Sequence, residues 1–165
     1  MKSSRYNLII SAVVVLLALV GCNSLENPTE NSQYKKDNEE FVNNAEAKGY
    51  TKLLFLNAKH PIYYKVIKQH ESEDALYPYQ DSEVSIDLSG RLISGEVFQK
   101  QGVIPAKVSS LILGMQYALQ SMRVGDTWEV VVPYELGYGP YKKGNIIQGY
   151  STLIFNVTLV DITKR

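Results

Sequence analysis

Cysteine and histidine, which supply many nucleophiles and metal ligands, occur only as Cys22, His60 and His70 in this 165-residue chain. A Ser-His-acid triad needs an oriented histidine, but His60 precedes Pro61, and His70 lies in the charged sequence QHESED, which favours a solvated loop. One cysteine excludes an internal disulfide, and no zinc-ligand spacing is present. These observations argue against nucleophilic hydrolysis and against a metal site.

Residues 134–150 form the first candidate for a functional site. The segment is rich in glycine and tyrosine, has little regular period, and is long for a loop in a compact domain. Tyr138 lies between Gly137 and Gly139, where a core position is disfavoured. We therefore predict that Tyr138 contributes to the site.

The overall charge argues against nucleic acid as a partner. Lysine and arginine number 17 and are balanced by 17 aspartate and glutamate residues, with no basic stripe. The length fits one domain with a core of ordinary size.

The N-terminal segment is typical of an export signal. Residues 1–21 have a positively charged start, and the apolar run 8–20 is short for a membrane span. The end of the run, LVGC, resembles the lipobox of bacterial lipoproteins, which implies a lipidated Cys22; an unmodified cysteine behind an uncleaved anchor is the alternative. Asn23, in place of an aspartate, favours the outer membrane of a Gram-negative cell. We expect a lipid-anchored protein of the cell envelope.

Three further segments follow the signal. Residues 22–36 are polar and predict a flexible tether. Residues 37–60 predict a helical lead-in, in which Asp37 and Glu40 have capping-box spacing and Gly49 ends the helix. Residues 61–165 then form the main domain.

The main domain combines strands with one helix. Residues 62–67, 84–88, 128–132 and 153–159 are apolar or alternating and predict strands, whereas 99–107 contains glycine and proline and predicts a loop. One helical face carries apolar side chains at spacings of three and four, with Ser109 or Ser110 as N-cap and Gly125 at the end; these side chains are Leu111, Met115, Ala118, Leu119 and Met122. Antiparallel strands with one amphipathic helix define an α+β fold.

Seven short motifs occur in one order: GRLISGEVF at 90–98, LILG at 111–114, MRVGD at 122–126, VP at 132–133, GYG at 137–139, II at 146–147 and STLIFNVTL at 151–159. In this order the chain resembles the FKBP-type peptidyl-prolyl cis-trans isomerases, here in a bacterial lipoprotein form. The resemblance implies a twisted antiparallel sheet wrapped around one short helix, with an apolar pocket between them.

The resemblance also implies an activity that needs no cofactor. Rotation about an X-Pro bond faces a barrier of about 18–20 kcal/mol, and a dry apolar pocket with a few hydrogen-bond donors would favour the twisted amide. The expected substrates are proline-containing polypeptides among exported or envelope proteins. The alternative is a binding module of the same fold, with weak or no turnover, acting as a chaperone or as a subunit of an envelope complex.

The residues that match the family's catalytic positions are Tyr138, Phe98, Ile112, Ile147 and Phe155, with the Tyr138 hydroxyl and the Ile147 N–H as expected donors. Leu88, Gln99, Leu111 and Met115 match substrate-binding positions. Three of these depart from the family pattern: Gln99 replaces an aspartate, Met115 a tryptophan and Leu88 a tyrosine. The departures favour the binding module, and the matches favour the enzyme.

Overall fold

A computed structural model describes residues 28–30, 32–71 and 76–165. Cys22 and the predicted signal segment lie outside the described residues. These residues form a six-stranded antiparallel sheet of order β1-β2-β5-β6-β3-β4 with two α-helices and two short 3₁₀ helices. In chain order the elements are α1 (Gln33–Asn43), β1 (Thr51–Leu53), β2 (Ile62–Lys68), β3 (Glu83–Leu92), β4 (Val97–Lys107), a 3₁₀ helix (Val108–Ser110), α2 (Leu113–Ser121), β5 (Thr127–Val132), a 3₁₀ helix (Tyr134–Leu136) and β6 (Leu153–Lys164).

Strands β3 and β6 are neighbours in the sheet and carry most of its core. The apolar side chains at alternating positions of both strands point to one face, because successive strand side chains point to opposite sides. In the register of the two strands, Leu88 lies opposite Val157 and Gly90 lies opposite Phe155. The strands predicted at 62–67, 84–88, 128–132 and 153–159 are confirmed, and the last extends to Lys164.

Helix α2 packs on this apolar face through Met115, Ala118 and Leu119, which are buried with the strand side chains. The α+β prediction of a sheet packed around a short amphipathic helix is therefore confirmed. The ends predicted for helix α2 were wrong. Ser110 belongs to the preceding 3₁₀ helix, Ile112 is the N-cap without a side-chain cap, and the helix ends at Ser121, so that Gly125 lies in the turn before β5.

Helix α1 lies on the opposite face of the sheet. Phe41 and Val42 pack against a second cluster that includes Val131 and Ile154. Capping-box spacing predicted a start at Asp37, but the helix begins at Gln33, where Ser32 is the N-cap and accepts a hydrogen bond from the Lys35 N–H at 3.3 Å. The last four residues of the predicted tether are therefore helical. Among the described residues, no helix is long and apolar enough to cross a membrane.

Strand β4 replaces the loop predicted for residues 99–107, and that prediction was wrong. The strand forms one edge of the sheet, where Pro105 is tolerated because an edge strand does not need every N–H for pairing. A register shift between Leu88 and Gly90 accommodates an extra residue on β4 beside Gln99. The glycine and the proline within residues 99–107 are therefore compatible with an edge strand.

Candidate active site

An open pocket of about 670 Å³ lies between α2, the sheet and the loop 137–150. It contains all nine residues predicted for the site from the sequence. These are Leu88, Phe98, Gln99, Leu111, Ile112, Met115, Tyr138, Ile147 and Phe155. Residues far apart in the chain thus converge on one cavity.

Three layers of structure position these side chains. Strands β3, β4 and β6 supply one wall through Leu88, Phe98 and Phe155, and α2 supplies the buried Met115 below it. The segment before α2 and the loop 137–150 form the other sides. Gln116 holds the segment before α2, because its side-chain Nε2 donates to the Leu111 carbonyl at 2.7 Å.

Two aromatic rings define the shape of the sheet wall. The rings of Phe98 and Phe155 meet edge to face, with centroids 5.5 Å apart and an interplanar angle of 82°. Gly90 makes this arrangement possible, because a Cβ atom there would lie only 2.4 Å from Cε2 of Phe98. The close approach of strand and ring therefore requires glycine at this position.

Polar hydrogen atoms are available at this pocket. Within the described part of the chain, neither the Tyr138 hydroxyl nor the Ile112 N–H donates a hydrogen bond. Ile112 precedes the first turn of α2, where N–H groups have no partner inside the helix. The Ile147 carbonyl accepts from the Lys143 N–H at 2.8 Å in an antiparallel bridge, whereas the Ile147 N–H donates to no acceptor among the described residues.

The sequence reasoning missed several lining residues. Ile86 lies two positions before Leu88, and the alternation along β3 places it on the same face. Lys143 brings its ammonium group to 5.8 Å from the centre of the Tyr138 ring. The side chain could not have been placed from sequence, because the turn that folds it back is set by the bridge to Ile147.

The three departures all line the cavity. Leu88 and Met115 are buried, and Gln99 is half-buried with its Nε2 donating to the Lys100 carbonyl at 3.0 Å. A polar amide thus occupies the place expected for a carboxylate. No aspartate or glutamate side chain is among the described residues that line the pocket.

Ionisable groups with perturbed pKa values lie elsewhere. Burial, reinforced by Glu129, raises the pKa of Tyr50 to about 12, and burial together with Glu135 and Glu39 raises the pKa of Tyr134 well above its ordinary value. Neither residue lines the pocket. In residues 28–30, 32–71 and 76–165, no cluster of three His, Cys, Asp or Glu side chains has metal-binding geometry. The site therefore offers apolar surface, neutral donors and the Lys143 ammonium group for its chemistry.

The fold and pocket define a class of small α+β domains that enclose an apolar groove between one helix and a twisted sheet. The sequence profile described as FKBP-type peptidyl-prolyl cis-trans isomerase matches residues 76–160. The chain belongs to this family, which confirms the family expected from the sequence.

Individual relatives agree with this assignment. The chain is 40% identical over 106 residues to Outer membrane protein MIP of Legionella longbeachae, a match covering 61% of this chain and 44% of that protein. It is 37% identical over 103 residues to the FKBP-type 22 kDa peptidyl-prolyl cis-trans isomerase of Escherichia coli, covering 60% and 48% of the two chains. The chain thus spans less than half the length of these curated relatives.

A solved structure supports the fold over a longer stretch. The crystal structure of a peptidyl-prolyl cis-trans isomerase from Pseudomonas syringae superposes with a TM-score of 0.72 at 26% identity. The match covers 84% of this chain and 98% of that one.

Proposed function

We propose that this protein catalyses cis-trans rotation about X-Pro bonds of polypeptides. The observation that carries the proposal is the convergence of nine predicted side chains on one apolar pocket that also contains donors without acceptors among the described residues. Membership of the isomerase family supports it.

The mechanism follows from the loss of amide resonance. As the imide twists, its nitrogen loses conjugation and no longer benefits from hydration of a polarised amide, so an apolar environment favours the twisted state over the planar states. Phe98, Phe155 and Met115 would surround the proline ring and exclude water. Each tenfold of rate requires about 1.4 kcal/mol of such differential stabilisation.

The donors would hold the carbonyls that flank the bond. We assign one donor to the Tyr138 hydroxyl, as the sequence predicts. For the second we propose the Ile112 N–H, which donates to no acceptor among the described residues; the Ile147 N–H predicted from the sequence is the alternative, because only the Ile147 carbonyl is engaged with Lys143. The buried Ile147 side chain would also form part of the wall.

The test is the cis-to-trans rate of short Leu-Pro and Phe-Pro peptides with the full chain and with Tyr138→Phe. Loss of one hydrogen bond of about 0.5–1.5 kcal/mol should lower kcat/KM roughly two- to tenfold. Tyr141→Phe is the matched control, because Tyr141 is in the same loop and is 73% exposed. No acceleration by the parent protein would reject the catalytic proposal.

A second candidate function is a binding module that retains proline-containing segments without turnover. Gln99, Met115 and Leu88 favour it, because a flexible methionine defines a proline-shaped slot less sharply than an aromatic ring. Saturable binding of the same peptides with no change in their isomerisation rate would support this candidate.

We further propose that the protein is held at the cell envelope by a lipid on Cys22, as a lipoprotein of the outer membrane. The leader sequence supports this proposal, and one relative is named an outer membrane protein. Ten residues separate Cys22 from α1, enough to span at most about 35 Å. Cys22→Ser should abolish acylation and move the protein to the soluble fraction, whereas continued membrane attachment would contradict the lipid anchor.

A further inference from the structure

Helix α1 contributes nothing to the pocket lining, yet it contacts the loop that carries Tyr138 and Ile147 from the outside. Asn38, a residue of α1, is fully buried. Its Oδ1 accepts from the Thr152 N–H at 2.7 Å, and its Nδ2 donates to the Tyr34 carbonyl at 2.8 Å. The bond from Thr152 joins α1 to the end of the loop at the start of β6, whereas the bond to Tyr34 lies within the helix.

A chain of two hydrogen bonds continues from α1 into the loop. The Tyr34 hydroxyl lies 2.7 Å from Ser151 Oγ, and Ser151 Oγ donates to the Gln148 carbonyl at 2.7 Å. A serine hydroxyl has one hydrogen, which is used on Gln148, so Tyr34 must be the donor to Ser151. The direction of both hydrogen bonds is thus fixed, and the second ends at Gln148, one residue after Ile147.

A second set of contacts reaches Tyr138. The ammonium group of Lys35 lies 5.6 Å from the centre of the Tyr150 ring and 5.9 Å from that of Tyr134. The Tyr150 N–H donates to the Gly139 carbonyl at 2.8 Å, which closes the loop directly beside Tyr138.

The backbone of Tyr150 shows that this closure is imposed by its surroundings. Its φ of 63° lies in the left-handed region, which side-chain-bearing residues rarely adopt. Such a conformation persists where neighbouring contacts over-determine it. The Tyr134 ring, edge to face at 5.2 Å, and Lys35 supply contacts of this kind.

We propose that α1 is a positioning element of the active site, in which Tyr34 and Ser151 set the loop geometry that places Ile147 and Tyr138 at the pocket. The catalytic part of this inference rests on the proposed isomerase function. Because α1 is the first helix among the described residues, the element nearest the N-terminus in that part of the chain also supports the site.

The experiment compares Tyr34→Phe, Ser151→Ala and the double variant in the full chain. Hydrogen exchange is followed at the Lys143 and Tyr150 amides, whose acceptors both lie in the loop. Kinetics on a Leu-Pro peptide give kcat and KM separately. The matched control is Tyr50→Phe, which removes a hydroxyl that donates to Glu129 at 2.6 Å in the sheet, away from the loop.

We expect both amides to exchange about three- to tenfold faster in Tyr34→Phe, as loss of one hydrogen bond implies, and kcat to fall with KM less affected. The double variant should be no worse than Ser151→Ala, because the two hydroxyls act in series. Tyr50→Phe should leave both readouts at parent values.

Unchanged amide exchange in Tyr34→Phe would overturn the positioning role, and so would faster exchange with an unchanged kcat. Additive effects in the double variant would overturn the serial chain. A parent protein without turnover would reject the isomerase function and the catalytic part of the inference, while amide exchange would still decide whether α1 holds the loop.

Discussion

Substitution of Gly90 by alanine tests the aromatic wall most directly. The added Cβ would lie 2.4 Å from Phe98 Cε2 and 3.2 Å from Phe155 Cδ1. Carbon atoms pack at about 3.5–4.0 Å, so the Phe98 ring must move by about 1 Å. The colliding atom is at the far end of a side chain beside an open pocket, so the ring can move without the strand.

Because the ring can move, Gly90→Ala should affect catalytic activity more than it affects the free energy of unfolding. Overpacking typically costs 1–3 kcal/mol, and we expect Gly90→Ala to lie at about 1 kcal/mol because the ring can yield. A displacement of about 1 Å in a site can cost up to roughly a hundredfold in rate. We therefore expect kcat/KM to fall at least about tenfold while the protein stays folded.

The assay pairs peptide isomerisation with urea unfolding, and Gly102→Ala is the matched control. Gly102 lies on the adjacent strand β4, and a Cβ there meets no atom within 4 Å. Normal turnover in a folded Gly90→Ala protein would refute the role of the Phe98 ring. A loss equal to that in Gly102→Ala would show that the strands respond and not the pocket.

Three other changes have defined outcomes. Gly114→Ala should lower the free energy of unfolding by about 1–3 kcal/mol in urea, because its Cβ would lie 2.4 Å from Cγ1 of the buried Val132; unchanged stability would contradict this packing. Gln99→Asp combined with Met115→Trp should raise kcat/KM for a Leu-Pro peptide, and a folded but no faster variant would show that the departures do not limit turnover. The pKa of Tyr50 is raised to about 12, so the contribution of its neutral hydroxyl to the free energy of unfolding is complete below pH 10 and is lost as pH rises toward 12. In urea unfolding, the free energy of unfolding of Tyr50→Phe should therefore decline less over that pH range than that of the parent protein. An equal decline would contradict the shift.

The parts of the fold predictable from sequence are those with a strong period. The alternation in β3 and β6 reflects one buried face, and the apolar spacing of α2 reflects one contact with the sheet, so their existence follows from side-chain chemistry alone. Strand β4 was missed because Gly102 and Pro105 are breakers in most settings. Only its position at the sheet edge, a tertiary property, makes them acceptable.

The candidate site also has a part that could be predicted from the sequence and a part that could not. The resemblance to the family located nine of the residues that line the pocket, because it assigns each of them a fixed place in the fold. Hydrogen bonds that join distant segments had no sequence signal. Neither the Tyr34 hydroxyl nor the buried Asn38 could be connected to residues more than a hundred positions away.

The division between wall and donors bears on whether this chain is an enzyme or a binder. In the proposed mechanism Gln99, Met115 and Leu88 would contact the proline itself, and the part of that contact that is equal in planar and twisted states changes KM without raising kcat. The Tyr138 hydroxyl and the Ile112 N–H can act on carbonyls whose positions change as the bond rotates. The departures should therefore weaken substrate capture more than the rotation itself. If so, the parent protein should show a high KM with a substantial kcat, whereas a pure binder would show tight capture and no rotation.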